Sequence, residues 1–223
     1  MKVFKCLFIA TLLVIITINA YAISGKEGGF LLITGPSGSG KSTIISYLKQ
    51  IDPRFVYVTP YTTRKLRRGE HDKLSISVKQ MKKLEKDKKL LVVNKIYGIY
   101  YGTPKTIIDD AINQGNFPVL DWPIEKIDIM KKHYNNNIYV VYVLPENIKE
   151  LKNRLTKDKR DKDGQRLSLG IKELKNNLQG LYDNNIDLKI INKKHEEKKI
   201  AEIIYDKFIN NEKVDYQSRK SQV

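Results

Sequence analysis

Eight residues, Gly35-Pro36-Ser37-Gly38-Ser39-Gly40-Lys41-Ser42, constrain this chain more than any others. They fit the spacing G-x-x-x-x-G-K-[ST]. The apolar run Phe30-Leu31-Leu32-Ile33-Thr34 precedes them, and a helical segment from about Lys41 to Gln50 follows. A strand before and a helix after is the context a phosphate-cradling loop requires. Glycines let successive backbone N–H groups turn inward around phosphate oxygens. The helix that starts at Lys41 aims its positive end at the same oxygens. In such a loop Lys41 reaches the β- and γ-phosphates and Ser42 ligates Mg²⁺. ATP and Mg²⁺ are the cofactors this pattern predicts.

Downstream, apolar runs alternate with helix-length segments. Phe55–Val58, Phe117–Leu120, Ile138–Leu144 and Leu188–Ile191 read as strands. Pro104–Asn113, Ile124–His133, Glu146–Leu155, Leu167–Leu181 and Glu196–Ile209 read as helices. This alternation predicts βαβ units. The expected fold class is therefore α/β, a three-layer sandwich with a parallel sheet and helices on both faces. Residues 60–102 break the alternation and read as an irregular, basic, turn-rich insertion with one helical stretch near Lys79–Lys88. Residues 156–166 are almost wholly polar. Ligands of such sheets bind beyond the carboxyl ends of the strands. Asp121 ends the Val119 strand, where a carboxylate suits Mg²⁺. A strand-end Asp equally suits a cap for the helix after Pro123.

Composition narrows the alternatives. The 223 residues carry a formal net charge of +16, which sets an expectation of an anionic partner. However, 33 of the 41 basic residues are Lys and only eight are Arg, and Lys and Asn occur together throughout. Lysines on solvated faces explain that pattern, and no motif supports nucleic-acid binding. The single cysteine, Cys6, excludes a disulfide framework and a Cys-based zinc site. His71, His133 and His195 lack the close pairing of zinc enzymes. Residues 1–22 read as a signal peptide: Lys2 and Lys5, an uncharged apolar run from Leu7 to Ile18, then Ala20-Tyr21-Ala22. An uncleaved N-terminal anchor is the alternative, and is the one expected membrane contact. The first reading exports the protein to a secretory or periplasmic space and the second tethers it; an unused segment leaves it cytoplasmic. Residues 211–223 read as a polar tail.

Four ordered elements resemble the guanylate kinases. Gly35–Thr43 resembles their Gly-Pro-Ser-Gly-x-Gly-Lys-Ser-Thr loop, and Thr62-Thr63-Arg64-x-x-Arg67-x-Gly69-Glu70 resembles their second element. Tyr101-Gly102-Thr103 and Leu120-Asp121 are similar to their Tyr-Gly-[Ser/Thr] and to the start of their Leu-Asp-x-Asp. Arg154-Leu155 and the polar stretch to Arg166-Leu167 resemble the lid, and Ile190-Ile191-Asn192 resembles the strand end that lines the adenine pocket. The resemblance implies a domain at 28–210, with an acceptor-binding insertion at 60–102 and a lid at 156–167. It implies the reaction ATP + GMP → ADP + GDP, in a monomer or dimer. Gly35, Pro36, Ser37, Gly38, Ser39, Gly40, Lys41, Ser42, Thr43 and Asn192 would then bind ATP. Arg64, Arg67, Tyr101, Thr103 and Asp121 would hold the acceptor. Lys41, Arg64, Arg160 and Arg166 would serve catalysis, and Ser42 and Asp121 would serve Mg²⁺. The chemistry is consistent, because two arginines three apart can offer forked donors to one phosphate.

The departures concern the base. The family's guanine-contacting serine is replaced by Pro60, and its phosphate-contacting tyrosine after Gly69-Glu70 has no counterpart in a segment about two residues short. The glutamate that reads guanine N–H groups is replaced by Val92, and the second acid of Leu-Asp-x-Asp by Pro123. A valine accepts no hydrogen bond, and a buried unpaired donor costs about 1–3 kcal/mol. Asn94 or Asp72 could supply the missing acceptor. The expectation is a phosphotransferase that keeps phosphate binding and alters base reading. Two alternatives stand beside GMP. One is another phosphorylated acceptor, since the shortened segment resembles the ribose 1,5-bisphosphate phosphokinases. The other is a non-catalytic binding module, which the complete loop argues against.

Overall fold

The computed structural model describes residues 29–66, 72–96, 98–134, 137–157, 161 and 163–211. In chain order the first elements are β1 (Phe30–Thr34), α1 (Lys41–Ile51), β2 (Phe55–Tyr57), β3 (Tyr61–Thr62), β4 (Leu74–Ser75), α2 (Val78–Lys86), β5 (Leu90–Ile96) and β6 (Ile99–Pro104). Then come α3 (Lys105–Asn113), β7 (Phe117–Asp121), α4 (Ile127–Tyr134), β8 (Ile138–Pro145), α5 (Ile148–Lys157), α6 (Gln165–Leu178), β9 (Leu188–Asn192) and α7 (Glu197–Ile209). A 3₁₀ turn, Ile124–Lys126, leads into α4.

The main sheet has five strands in the order β2-β7-β1-β8-β9. Every pairing in it is parallel. Strand periodicity sorts its residues onto two faces. Leu31, Ile33, Val119, Val141 and Val143 pack with α1 and α7 through Ile44, Leu48, Ile204 and Phe208. Phe30, Leu32, Leu120, Val140 and Tyr142 pack on the other face with Ile108, Ile127 and Met130 of α3 and α4. These two cores make the three layers. A satellite cluster, Leu151, Leu155 and Leu174, joins α5 to α6.

The stretch expected to be irregular at 60–102 is different. Its described residues form a second sheet in the order β4-β3-β6-β5, with α2 beside it. β5 and β6 pair antiparallel, and β3 pairs antiparallel with β6. The sequence concealed these strands for two reasons. β3 and β4 are two residues each, too short for a period to register. Leu91 and Val92 both pack against the core, so β5 does not alternate. Among the described residues no helix is long and apolar enough to cross a membrane. The segment 1–22 and most of the tail 211–223 lie outside the described residues.

Candidate active site

The loop between β1 and α1 gets its shape from glycines. Gly35, Gly38 and Gly40 have φ of 130°, 89° and 97°, a region costly for residues with a Cβ. Gly35 also lies against β8: a Cβ there would sit 2.3 Å from the Val143 carbonyl oxygen. No side chain caps the N-terminus of α1 and no acid stands in its first turn. Its N–H groups therefore suit an anion.

Lys41 is 8% exposed. Its ammonium donates to the Gly35 carbonyl at 2.6 Å and the Pro36 carbonyl at 3.0 Å, and lies 3.7 Å from the Asp121 carboxylate. Asp121 ends β7 beside β1, in register with Ile33. It does not cap the turn after Pro123, where no side-chain cap exists. Ser42 is exposed in the first turn of α1. A hydroxyl and a carboxylate are hard oxygen ligands. Mg²⁺ at phosphate sites takes one or two such groups and keeps several waters, so Ser42 and Asp121 fit it in kind.

The loop separates two cavities. One of about 320 Å³ is lined by Thr34, Gly35, Ser37, Lys41, Asp121, Glu125 and Glu173 among others. The larger, about 630 Å³, is lined by Gly38, Gly40, Ser42, Thr43, Asn153, Arg154, Lys194 and His195 among others. Asn192, expected to line a base pocket, is fully buried. Its Nδ2 donates to the Ser39 carbonyl at 2.7 Å. Arg154 reaches the same carbonyl at 3.4 Å and the Asn192 carbonyl at 3.2 Å, and its Nε donates to Glu150 at 2.9 Å.

α6 closes the loop from above. Gly170 lies where a Cβ would meet Pro36 and Leu151 at 3.3 and 3.2 Å. Arg166 donates to the Ser37 hydroxyl at 3.3 Å. Asp161 accepts from the Arg166 and Leu167 N–H groups at 2.8 and 3.0 Å, holding the start of the helix. Arg160 lies outside the described residues.

The second sheet places Arg64 and Tyr101, two of the residues expected to hold an acceptor. Tyr101 pairs with Thr62 and with Asn94 across β6. The Arg64 segment is fastened on two sides: Ser75 donates to its carbonyl at 2.8 Å, and the Thr63 hydroxyl accepts from the Tyr100 N–H at 3.0 Å. Thr103 is 6% exposed, opposite Val92. Arg67 lies outside the described residues. Both substitutes considered for the missing base acceptor are engaged: Lys126 donates to Asn94, and Lys73 donates to Asp72 at 2.9 Å.

Glu173 was not singled out by the motifs. Tyr142, fully buried, donates to it at 3.0 Å. Burial pushes its carboxyl up to about 7, with Lys41 and the Tyr142 hydrogen bond opposing and Glu125 and Asp121 adding. The one available signal was an acid on a buried helix face. Gly170, Leu174 and Asn177 are buried on α6, and Glu173 shares their stripe at spacings of three and four.

A parallel sheet with a glycine loop after its central strand, a lysine in that loop and an acid on the adjacent strand end defines a P-loop phosphotransferase fold. Comparison narrows the class. Residues 28–207 match the family model for guanylate kinase. The guanylate kinase of Rickettsia prowazekii is 32% identical over 184 residues, 80% of this chain and 91% of that protein. That of Carboxydothermus hydrogenoformans is 34% identical over 140 residues, 61% of this chain and 68% of that one. In fold, the crystal structure of guanylate kinase from Anaplasma phagocytophilum aligns with a TM-score of 0.64 at 18% identity, covering 86% of this chain and 90% of that one. The chain belongs to the guanylate kinase family.

Proposed function

We infer that this chain is a nucleoside monophosphate kinase that transfers the terminal phosphoryl group of ATP to GMP, giving ADP and GDP. The observation that carries this reading is the placement of Lys41: bound to the loop carbonyls and 3.7 Å from Asp121, in a chain whose family match spans the whole P-loop domain.

The chemistry needs little besides position and charge. An acceptor phosphate is already a nucleophile, so no general base is required. The loop N–H groups and the α1 terminus hold the donor phosphates, and Lys41 exchanges its carbonyl partners for phosphate oxygens. Ser42 and Asp121 are the residues that would hold Mg²⁺, which supplies charge neutralisation between the β- and γ-phosphates. Arg64 and Tyr101, beside and on the second sheet, would hold the acceptor phosphate, with Arg67 as the further arginine that the family resemblance assigns to it. Arg166, at the head of α6 and in contact with Ser37, places a guanidinium where charge develops and closes the site against water. Val92 and Pro60 supply no hydrogen bond of the kind the family uses on the base. We therefore read discrimination between GMP and other purine monophosphates as weaker than phosphate recognition. The apolar segment at the N-terminus supports export or membrane anchoring, which N-terminal sequencing of the purified protein checks.

The deciding assay follows ADP release by the full chain with Mg²⁺ and ATP against GMP, dGMP, AMP, UMP and ribose 1,5-bisphosphate. Turnover is expected with GMP and lost by at least about a hundredfold in Lys41→Ala, since a charge-assisted phosphate contact made at the transition state disappears. Turnover with ribose 1,5-bisphosphate but not GMP would replace the acceptor assigned here.

A further inference from the structure

The resemblance assigned Asn192 to a base pocket, and the structure packs its side chain against the loop. It is fully buried, and it is absent from the lining of the 630 Å³ cavity beside the loop. What it touches is the loop itself. Its Nδ2 donates to the Ser39 carbonyl at 2.7 Å across 153 residues of sequence. It also fills the space beside Gly40, where a Cβ would stand 2.2 Å from Nδ2. Arg154 completes the contact by donating to the Ser39 carbonyl and to the Asn192 carbonyl. One carbonyl of the loop is thus drawn outward by donors from β9 and α5. In a planar trans peptide the carbonyl and the following N–H point opposite ways, so an outward Ser39 carbonyl turns the Gly40 N–H to the inner side of the loop, while the Ser39 N–H is held by the Pro36 carbonyl at 3.1 Å.

We propose that Asn192 is a positioning residue for the donor phosphates, acting through the Ser39 carbonyl and not through the nucleoside. This rests on the phosphotransferase reading of the same site. The two buried polar atoms without a hydrogen-bond partner at this contact support it: the Ser39 hydroxyl and Asn192 Oδ1. One can donate and the other accept, on residues already joined by the Asn192–Ser39 hydrogen bond. Buried polar groups are rarely left without partners, so two at one contact call for a functional explanation.

The experiment measures binding of ATP and of inorganic tripolyphosphate, both with Mg²⁺, to the full chain by calorimetry. Three proteins are compared: wild type, Asn192→Leu, which keeps shape without the amide, and Asn192→Asp, which sets a carboxylate against the carbonyl. Thermal melting confirms that each is folded. The expected result is a fall in affinity of about tenfold or more in both variants, by the same factor for ATP and tripolyphosphate. In the kinase assay the KM for ATP rises with the KM for GMP unchanged, a split that general loosening of the fold does not produce. Weaker ATP binding with tripolyphosphate unchanged would show that Asn192 serves the nucleoside and overturn the proposal, as would unchanged binding of both. A wild-type protein that binds neither ligand overturns the donor-site reading itself.

Discussion

Glu173 shows how one residue beside the loop acquires unusual chemistry. Its carboxyl titrates near 7 chiefly because it is buried, so the protonated form is the one the fold favours. A carboxyl whose pKa is higher folded than unfolded contributes stability that is complete below the unfolded value, near 4.5, and is lost as pH rises through 7. Glu173→Gln fixes the neutral form and keeps the Tyr142 hydroxyl supplied with an oxygen acceptor. The variant should melt at least as high as wild type in metal-free buffer at about pH 8, with the gap closing toward about pH 5. A gap that widens instead toward acid would mean that the carboxylate is stabilised by Lys41 more than it is penalised by burial. The same substitution removes one negative charge from the cavity lined by Lys41 and Asp121. ATP affinity without Mg²⁺ at about pH 8 should therefore rise by a factor of a few, measured by calorimetry against wild type.

At the scale of elements, the second sheet depends on a close approach that the sequence hid. Gly102 lies between Tyr101 and Thr103 on β6. A Cβ there would stand 2.6 Å from the Met81 sulfur and 3.0 Å from Leu90. Met81, 1% exposed, is the one buried residue of α2. Glycine at 102 is thus what lets α2 settle on the sheet that carries Arg64. Gly102→Ala should cost about 1–3 kcal/mol by overpacking and raise the KM for the acceptor more than that for ATP. In a Met81→Ala background the same change should cost much less, a coupling that a double-mutant cycle of melting or denaturation data reads directly. Additive losses would place the glycine's role elsewhere. The same contact explains what could be read from sequence. β1, the loop and α1 were legible because a strand, a glycine pattern and a helix specify one another locally. β7 to α7 were legible because long apolar runs carry their own period. The second sheet was not, since its strands are short and its order depends on distant partners such as Ser75 with Arg64. In the site, Lys41 and Asp121 were legible from their places in the motif and at the strand end. The burial of Asn192 and the neighbours of Glu173 arise from β9 and α6 folding back on the loop. No local pattern records those approaches.

The whole molecule separates the region that holds it together from the region that acts. Phe208, fully buried in the last turn of α7, has ring centroids 5.5, 5.1 and 5.9 Å from Phe55, Phe117 and Tyr139. These three rings sit at or near the amino ends of β2, β7 and β8. The loop, Lys41 and Asp121 lie at the carboxyl ends of the same sheet. Phe208→Ala should therefore cost about 3–5 kcal/mol by opening a cavity, lowering the melting temperature by roughly 6–20 °C for a domain of this size. The KM values for both substrates should stay within about twofold at a temperature where the variant is folded, because the ring meets β7 and α1 at the end of the sheet opposite the loop, Lys41 and Asp121. Nucleotide binds only the folded form. ADP with Mg²⁺ at about a hundred times its dissociation constant should return about 2.7 kcal/mol to wild type and variant alike. A ligand that stabilised the variant much less than wild type would show that the loss at the amino ends reaches the loop through the sheet. The two ends would then be one cooperative unit in function as well as in folding.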